Sequence, residues 1–182
     1  MPRSAPREAR PYDAETLSRA ALDYAARYAT TRAKLAAYLR RKLRERGWAG
    51  EGDPGVDAIV ARFADHGYVN DQAFADARAQ SLLRRGYGAR RITASLRAAG
   101  IEADTADGLR EEIDAGAEDA ALRFARRRRI GPYADHVPDR DERRRWVAAM
   151  ARAGHAMGTI MRVLAMDATD LDIDVVGVTS QG

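Results

Sequence analysis

The residues best equipped for chemistry in this sequence are its arginines. Of the 31 Lys and Arg, all but Lys34 and Lys42 are Arg, and a planar, permanently charged guanidinium is a fitting donor for phosphate or carboxylate. The densest run is "FARRRRIGP", which places Arg126, Arg127, Arg128 and Arg129 in succession. Four like charges over one helical turn repel each other, so an anionic neighbour relieves them. A helix C-terminus, or the acids of "ADHVPDRDE", offers the same relief from within the chain. The formal net charge of +4 understates the basic character of the body, because Asp167, Asp170, Asp172 and Asp174 lie in the last sixteen positions without a Lys or Arg. A basic body implies an acidic partner, either nucleic acid or an anionic protein surface. The same composition also describes a chain that simply spends Arg where others spend Lys.

Other reactive constellations are missing. The chain has no Cys, which removes disulfides and thiolate metal sites. His66, His136 and His155 stand alone, with no second His or Cys at ligand spacing, and are expected as surface or capping residues. Asp135, Asp139, Asp141 and Glu142 cluster in or beside a proline loop, a setting that promises none of the burial acid-base catalysis requires. With no Gly-rich phosphate loop, no Ser-centred elbow and no metal-spaced His pair, the expectation is a protein that is not an enzyme and needs no cofactor or metal. Trp48, Tyr68 and Trp146 are either stacking platforms or gap fillers; each follows or faces a helix end, which favours core packing. No apolar run reaches the roughly 18 to 20 residues of a membrane span, and "MPRSAPREARPY" lacks the apolar segment of a secretory signal, so a cytoplasmic protein is expected.

The elements that must carry these side chains are helical. A hydrophobic share of 46% with only 7% aromatics leaves a core of Ala, Leu, Ile and Val. Leu17, Ala21, Tyr24, Ala25 and Tyr28 recur at helical spacing; Thr31 caps a second run in which Leu35, Leu39 and Leu43 stack, and Gly47 ends it. Val56, Ile59, Val60 and Phe63 mark a third helix closed by Gly67. In "GYVNDQAFA" the chain then turns: Gly67 ends one helix, Tyr68 follows it, Asn70 or Asp71 caps the next, and with Asn70 as N-cap Val69 is placed to staple against Phe74. This stretch reads as a joint, since nothing there pairs a proton acceptor with a nucleophile.

The plan repeats. Helices from Asn70 to about Arg85, around Ile92 and Leu96, and from Asp104 or Thr105 to Gly116 form a second set; Ala117 to Arg129, Asp141 to Arg152 and Met157 to Met166 form a third. Leu39, Leu43, Gly47 and Trp48 match Ile92, Leu96, Gly100 and Ile101, and both match Trp146, Met150, Gly154 and His155, at offsets of 53 and 54 residues. Tandem units that cover one another's apolar faces have this signature. The expected architecture is an all-α, elongated array of three three-helix repeats at 13–67, 68–116 and 117–166, with a disordered tail at 1–12 and an acidic, disordered tail at 167–182.

The motif "GYVNDQAFA" resembles the joint of the RecX regulatory proteins, "GARRITASLRAAGI" resembles that family's second-repeat helix with its closing Gly, and "TTRAKLAAYLRRKLRERGW" is similar to the first-repeat counterpart, one helical turn longer. The third unit departs from the pattern, because His155 stands where a Phe is usual. The resemblance covers about Ala14 to Met166. It implies a non-enzymatic bacterial regulator, a curved array of three-helix units lodged in the groove of the RecA filament on single-stranded DNA, restraining strand exchange, ATP hydrolysis and coprotease activity in DNA repair and the SOS response.

On a helical wheel, Leu35, Leu39 and Leu43 take one side of their helix while Arg40, Arg41 and Arg44 fall outward with Lys34. Arg90 and Arg97, then Arg144 and Arg152, do the same in the next two units. Spaced arginines suit a repetitive anionic partner, although any solvated amphipathic helix shows a charged outer face. The expected partner is the RecA filament, with direct DNA contact open and a monomer as default. The alternative is a helix-turn-helix type DNA-binding protein acting independently of RecA.

Overall fold

Capping chemistry within a few residues sets where the helices begin. In the computed structural model, which describes residues 10–167, the Asp13 carboxylate accepts from the Thr16 backbone N at 2.8 Å while the Thr16 hydroxyl accepts from the Asp13 backbone N at 3.0 Å. This reciprocal box opens α1, Ala14–Arg27, and satisfies donors that helix geometry leaves unpaired. Thr31 opens α2, Arg32–Arg46, by accepting from the Lys34 backbone N at 3.1 Å, and Gly47 closes it at φ 80°. The chain continues through α3, Val56–Asp65, α4, Asp71–Arg84, α5, Ala89–Ala98, α6, Ala103–Asp107, α7, Arg110–Ala115, α8, Ala117–Arg128, a 3₁₀ turn at Gly131–Tyr133, α9, Arg140–Arg152, and α10, Met157–Ala165. The described residues contain helices and no strand, with one isolated bridge between Tyr12 and Trp48. None of these helices is long and apolar enough to cross a membrane.

Several expectations need correction. Tyr12, placed in a disordered tail, is 6% exposed, donates its N–H to the Gly47 carbonyl at 3.0 Å and accepts from the Ala49 N–H at 2.8 Å. Its ring also lies under the Arg46 guanidinium, 4.1 Å away, so burial and cation–π contact fix it. Residues 1–9, and the acidic tail beyond Asp167, lie outside the described residues. The helix expected to start at Asp104 or Thr105 begins earlier, after Glu102, and breaks into α6 and α7 at Gly108 and Leu109; glycine is a poor helix interior. Arg129 leaves α8 for the left-handed region at φ 52° and ψ 51°. That conformation is costly for a side-chain-bearing residue, and it turns Ile130 inward to 3% exposure with its N–H on the Ala125 carbonyl at 2.9 Å.

The chain divides into two compact units. The first runs to Phe74 and adds Ala99–Ile101; the second holds Ala75–Ala98 and the chain from Glu102 on. The core of the first gathers Leu17, Leu35, Leu39, Ile59 and Phe63 from α1, α2 and α3, closed by Val69. The second buries Phe124, Trp146, Met150, Ile160 and Val163 from α8, α9 and α10, while α4, α5 and α7 bury Leu82, Ile92, Leu96 and Ile113. Fully burying one such side chain stabilises by about 1.5 to 3 kcal/mol.

Each unit holds a bond from the head of a middle helix to the carbonyl of the alanine before a repeat glycine. In the first, the Thr31 hydroxyl at the head of α2 donates to the Ala99 carbonyl, at 2.6 Å and buried. In the second, the Gly88 N–H at the head of α5 donates to the Ala153 carbonyl just beyond α9, at 3.0 Å. Ala99 and Ala153 occupy the same register position, one residue before Gly100 and Gly154. Both glycines are pressed against the neighbouring first turn: a Cβ on Gly100 would sit 2.2 Å from the Ala33 Cβ, and one on Gly154 would sit 2.5 Å from the Arg91 N. Their φ values of 75° and 97° also belong to the left-handed half of the map, so glycine meets two demands at once. The period seen in the sequence therefore has a structural cause.

Candidate anion-binding cleft

The joint is occupied by structural bonds. Gly67 takes φ 74°, and the chain reversal turns Val69 into the core at 3% exposure. Tyr68, expected to fill a gap between helices, is instead 57% exposed and rests against Phe63 and His66. Asn70 caps α4 by accepting from the Ala73 backbone N at 2.9 Å. Asp71 is thereby left to serve another helix, and its carboxylate accepts from the backbone N of Arg32 at 2.9 Å, one of the orphan donors in the first turn of α2. Phe74, half-buried, carries the Lys34 ammonium 4.6 Å from its ring centroid.

All eleven candidate arginines are exposed, but their surroundings differ. Arg40 pairs with Asp57 at 2.7 Å, Arg41 with Glu45 at 3.9 Å and Arg144 with Asp141 at 3.6 Å; solvated pairs like these contribute about 1 kcal/mol or less. Arg44, Arg126 and Arg129 line none of the clefts described below. Arg90 and Arg97 line a cleft on α5 that also carries Asp107, Arg110 and Asp114, so its charge is mixed.

In the second unit a cleft of about 530 Å³ gathers Arg127, Arg128 and Arg152 with two arginines that sequence reasoning passed over, Arg85 and Arg91. Tyr87, Phe124, Ala149 and Ala153 complete its lining, and no acidic side chain is among them. Glycine contacts build it. Gly88 lies so close to Gly154 that an added Cβ would be 2.4 Å from its carbonyl, which sets the head of α5, with Arg91, against the end of α9, with Arg152. The Arg127 guanidinium donates to the Arg85 carbonyl, tying α8 to the end of α4. Aromatic faces hold the cations in place: Arg85 and Arg91 stand 5.6 Å and 4.9 Å from the Tyr87 ring centroid, and Arg128 stands 5.8 Å from that of Phe124. Among the described residues none of these five arginines has a carboxylate within ion-pair distance. A concave set of uncompensated, orientated guanidiniums is suited to bind phosphate or carboxylate by charge-assisted hydrogen bonds. The sequence signal for the missed pair was the doublets in "LLRRGYGARRI", whose relation to "FARRRR" is visible only after folding.

The histidines fall into two classes. The His66 ring contacts the Arg62 carbonyl at 2.7 Å, a capping role. His136 bridges Asp135 at 2.8 Å and Glu142 at 2.7 Å, and the Asp135 and then Glu142 hydrogen bonds hold its imidazole above the ordinary range. The expected surface role fails for His155. It is 2% exposed, packs edge-on against Phe124 at 5.6 Å, and neither ring nitrogen has a hydrogen-bond partner. Burial pushes its pKa below the ordinary value, opposed only in part by the nearby Gly86 backbone. The position after the repeat glycine is an inward one, like that of Ile101, so the side chain is buried whatever its polarity.

Comparison with known proteins bears on these features. The model of the RecX second three-helix domain matches residues 70–108, which hold Asn70, Asp71 and Phe74 of the joint, Arg85, Arg91 and the head of α5. A regulatory protein RecX of Myxococcus xanthus (strain DK1622) is 35% identical over 170 residues, covering 87% of this chain and 89% of that one. One from Mycobacterium sp. (strain KMS) is 33% identical over 148 residues, 79% of each. The fold is similar to the crystal structure of RecX from Lactobacillus salivarius, with a TM-score of 0.68, 19% identity, and coverage of 87% of this chain and 96% of that one.

Proposed function

Since this chain belongs to the RecX family of regulatory proteins, we propose that it binds the RecA filament assembled on single-stranded DNA and restrains strand exchange, ATP hydrolysis and coprotease activity. It acts by contact rather than by chemistry on a substrate. The observation that carries the reading is the five-arginine cleft of the second unit, lined by no carboxylate. Among the described residues its lining holds five guanidiniums and no carboxylate, so an anionic group placed there lowers its electrostatic energy. A filament repeats its subunits and phosphates along its length, and several modest contacts on one chain raise the effective concentration for each further contact. Arg40, Arg41, Arg44, Arg90, Arg97, Arg126, Arg129 and Arg144 form the rim charge in this reading, which steers encounter more than it sets affinity.

The test is inhibition of RecA-driven strand exchange by wild type, by Arg91→Glu with Arg152→Glu, and by Arg44→Glu with Arg97→Glu. The cleft pair is expected to raise the half-inhibitory concentration by about tenfold or more, and the outer-face pair by less. Undiminished inhibition by the cleft variant, with helicity intact, would remove the assignment. Binding to coated strands, bare strands and bare duplex at two salt concentrations separates filament recognition from filament-independent DNA binding, whose affinity falls steeply with salt.

A further inference from the structure

The first unit contains an aromatic cluster at the edge of its core. Tyr24 and Tyr38 lie face to face, with ring centroids 4.2 Å apart and planes 14° from parallel. Tyr28, the C-cap of α1, extends the group, its ring 5.3 Å from that of Tyr24 and tilted by 48°. Tyr24 and Tyr38 pack on the core with one side, whereas Tyr28 is 58% exposed and so owes little of its placement to burial. Around the rings lie Arg27, Arg41 and Lys42, the last two 5.6 Å and 5.8 Å from the Tyr38 centroid. Together these residues line an open cleft of about 350 Å³.

We propose that this cleft is a stacking site for an unpaired base of single-stranded nucleic acid, with Tyr28 and the Tyr24–Tyr38 pair as platform and Arg27 and Arg41 on the adjoining phosphates. Two demands must be met within the few ångströms that separate a base from its own phosphate: a flat apolar face and a cation. An acidic peptide needs only the cations, and an apolar peptide only the rings. The parallel Tyr pair already forms a short column, and a planar heterocycle is the ligand that prolongs it. Asp23, an acid in the lining, supplies an acceptor for the N–H groups of a base edge; Glu45, beside the cleft, holds Lys42 at 3.2 Å and Arg41 more loosely at 3.9 Å. A duplex, whose bases are paired and stacked on each other, offers no face to this site. The assignment does not depend on filament recognition and is tested without RecA.

The experiment measures full-length protein against a labelled oligothymidylate and against an abasic strand of equal length, which keeps the phosphates and lacks the bases. Arginines elsewhere on the chain bind phosphates of both strands alike, so the difference isolates stacking. Wild type is expected to prefer the oligothymidylate. Tyr28→Ala should weaken that binding by about five- to hundredfold, leave abasic binding unchanged, and keep wild-type helicity because the side chain is exposed. Tyr28→Phe, which retains a ring, should bind as wild type does. Photo-cross-linking with an iododeoxyuridine-substituted strand should label Tyr28, Tyr24 or Tyr38. Equal affinity for the two strands, an unaffected Tyr28→Ala variant, or cross-links confined to the second unit would each overturn the proposal.

Discussion

Replacing His155 with Phe probes the least comfortable side chain in the fold. The imidazole is 2% exposed and, beyond the contact with the Gly86 backbone, its nitrogens make no hydrogen bond of good geometry among the described residues, a desolvation cost of about 1 to 3 kcal/mol that Phe does not incur. The larger ring must be fitted into a packed site, which costs a similar amount, so near pH 7.5, about one unit above the ordinary His value, the two effects nearly offset. The pH dependence separates them. Burial holds the folded pKa below the ordinary 6.5; the unfolded chain therefore binds a proton that the folded chain refuses. Wild type should lose stability as pH falls below that value, by at most about 1.4 kcal/mol per pH unit, until the folded pKa is reached. His136 acts in the opposite sense. Its raised pKa, set by Asp135 and Glu142, contributes stability at low pH that is lost as pH rises through the folded value. It is present in both proteins and cancels in their difference. Urea unfolding of wild type and His155→Phe at about pH 7.5 and about pH 5.5 should show the Phe variant gaining on wild type by up to about 1.4 kcal/mol as pH drops from 6.5 to 5.5. A stability difference identical at both pH values would refute a neutral imidazole held out of water.

Two further expectations concern the joints. Gly100→Ala should destabilise more than Gly47→Ala, because both meet a positive φ but only Gly100 faces a neighbour at 2.2 Å; the overlap adds about 1 to 3 kcal/mol, measurable by urea unfolding. Asp71→Ala should cost about 1 kcal/mol and speed hydrogen exchange at the Arg32 amide, which loses its acceptor, whereas a role for Asp71 in chemistry would leave that amide unchanged.

The joint and the repeat were legible because their signals are local. As caps and terminators, Thr31, Asn70, Gly47 and Gly67 act on backbone groups within a few residues of themselves, and their types announced it; the second bond of Thr31, to Ala99, did not show in the sequence. Asp71 shows where this reasoning stops: its neighbours in sequence suggest a cap for α4, but Asn70 takes that place and Asp71 caps α2 from a distance of 39 residues. The aromatic assignments divide the same way. Trp146 falls in the core as its register requires, while Tyr68 is turned outward by the left-handed Gly67 before it.

The sequence by itself determined most of the helices, the local caps and the glycine-marked register, since hydrogen bonds and φ preferences act over three or four residues. Only the tertiary structure decided which arginines meet. Arg85, Arg91, Arg90 and Arg97 are all exposed arginines at or beside helix ends or faces, yet the first two converge with Arg127, Arg128 and Arg152 while the other two face Asp107 and Asp114. The choice rests on the closeness of Gly88 to Gly154, a contact between backbones 66 residues apart. Periodicity fixes the face a side chain takes on its own helix, and the packing of other helices fixes what that face meets.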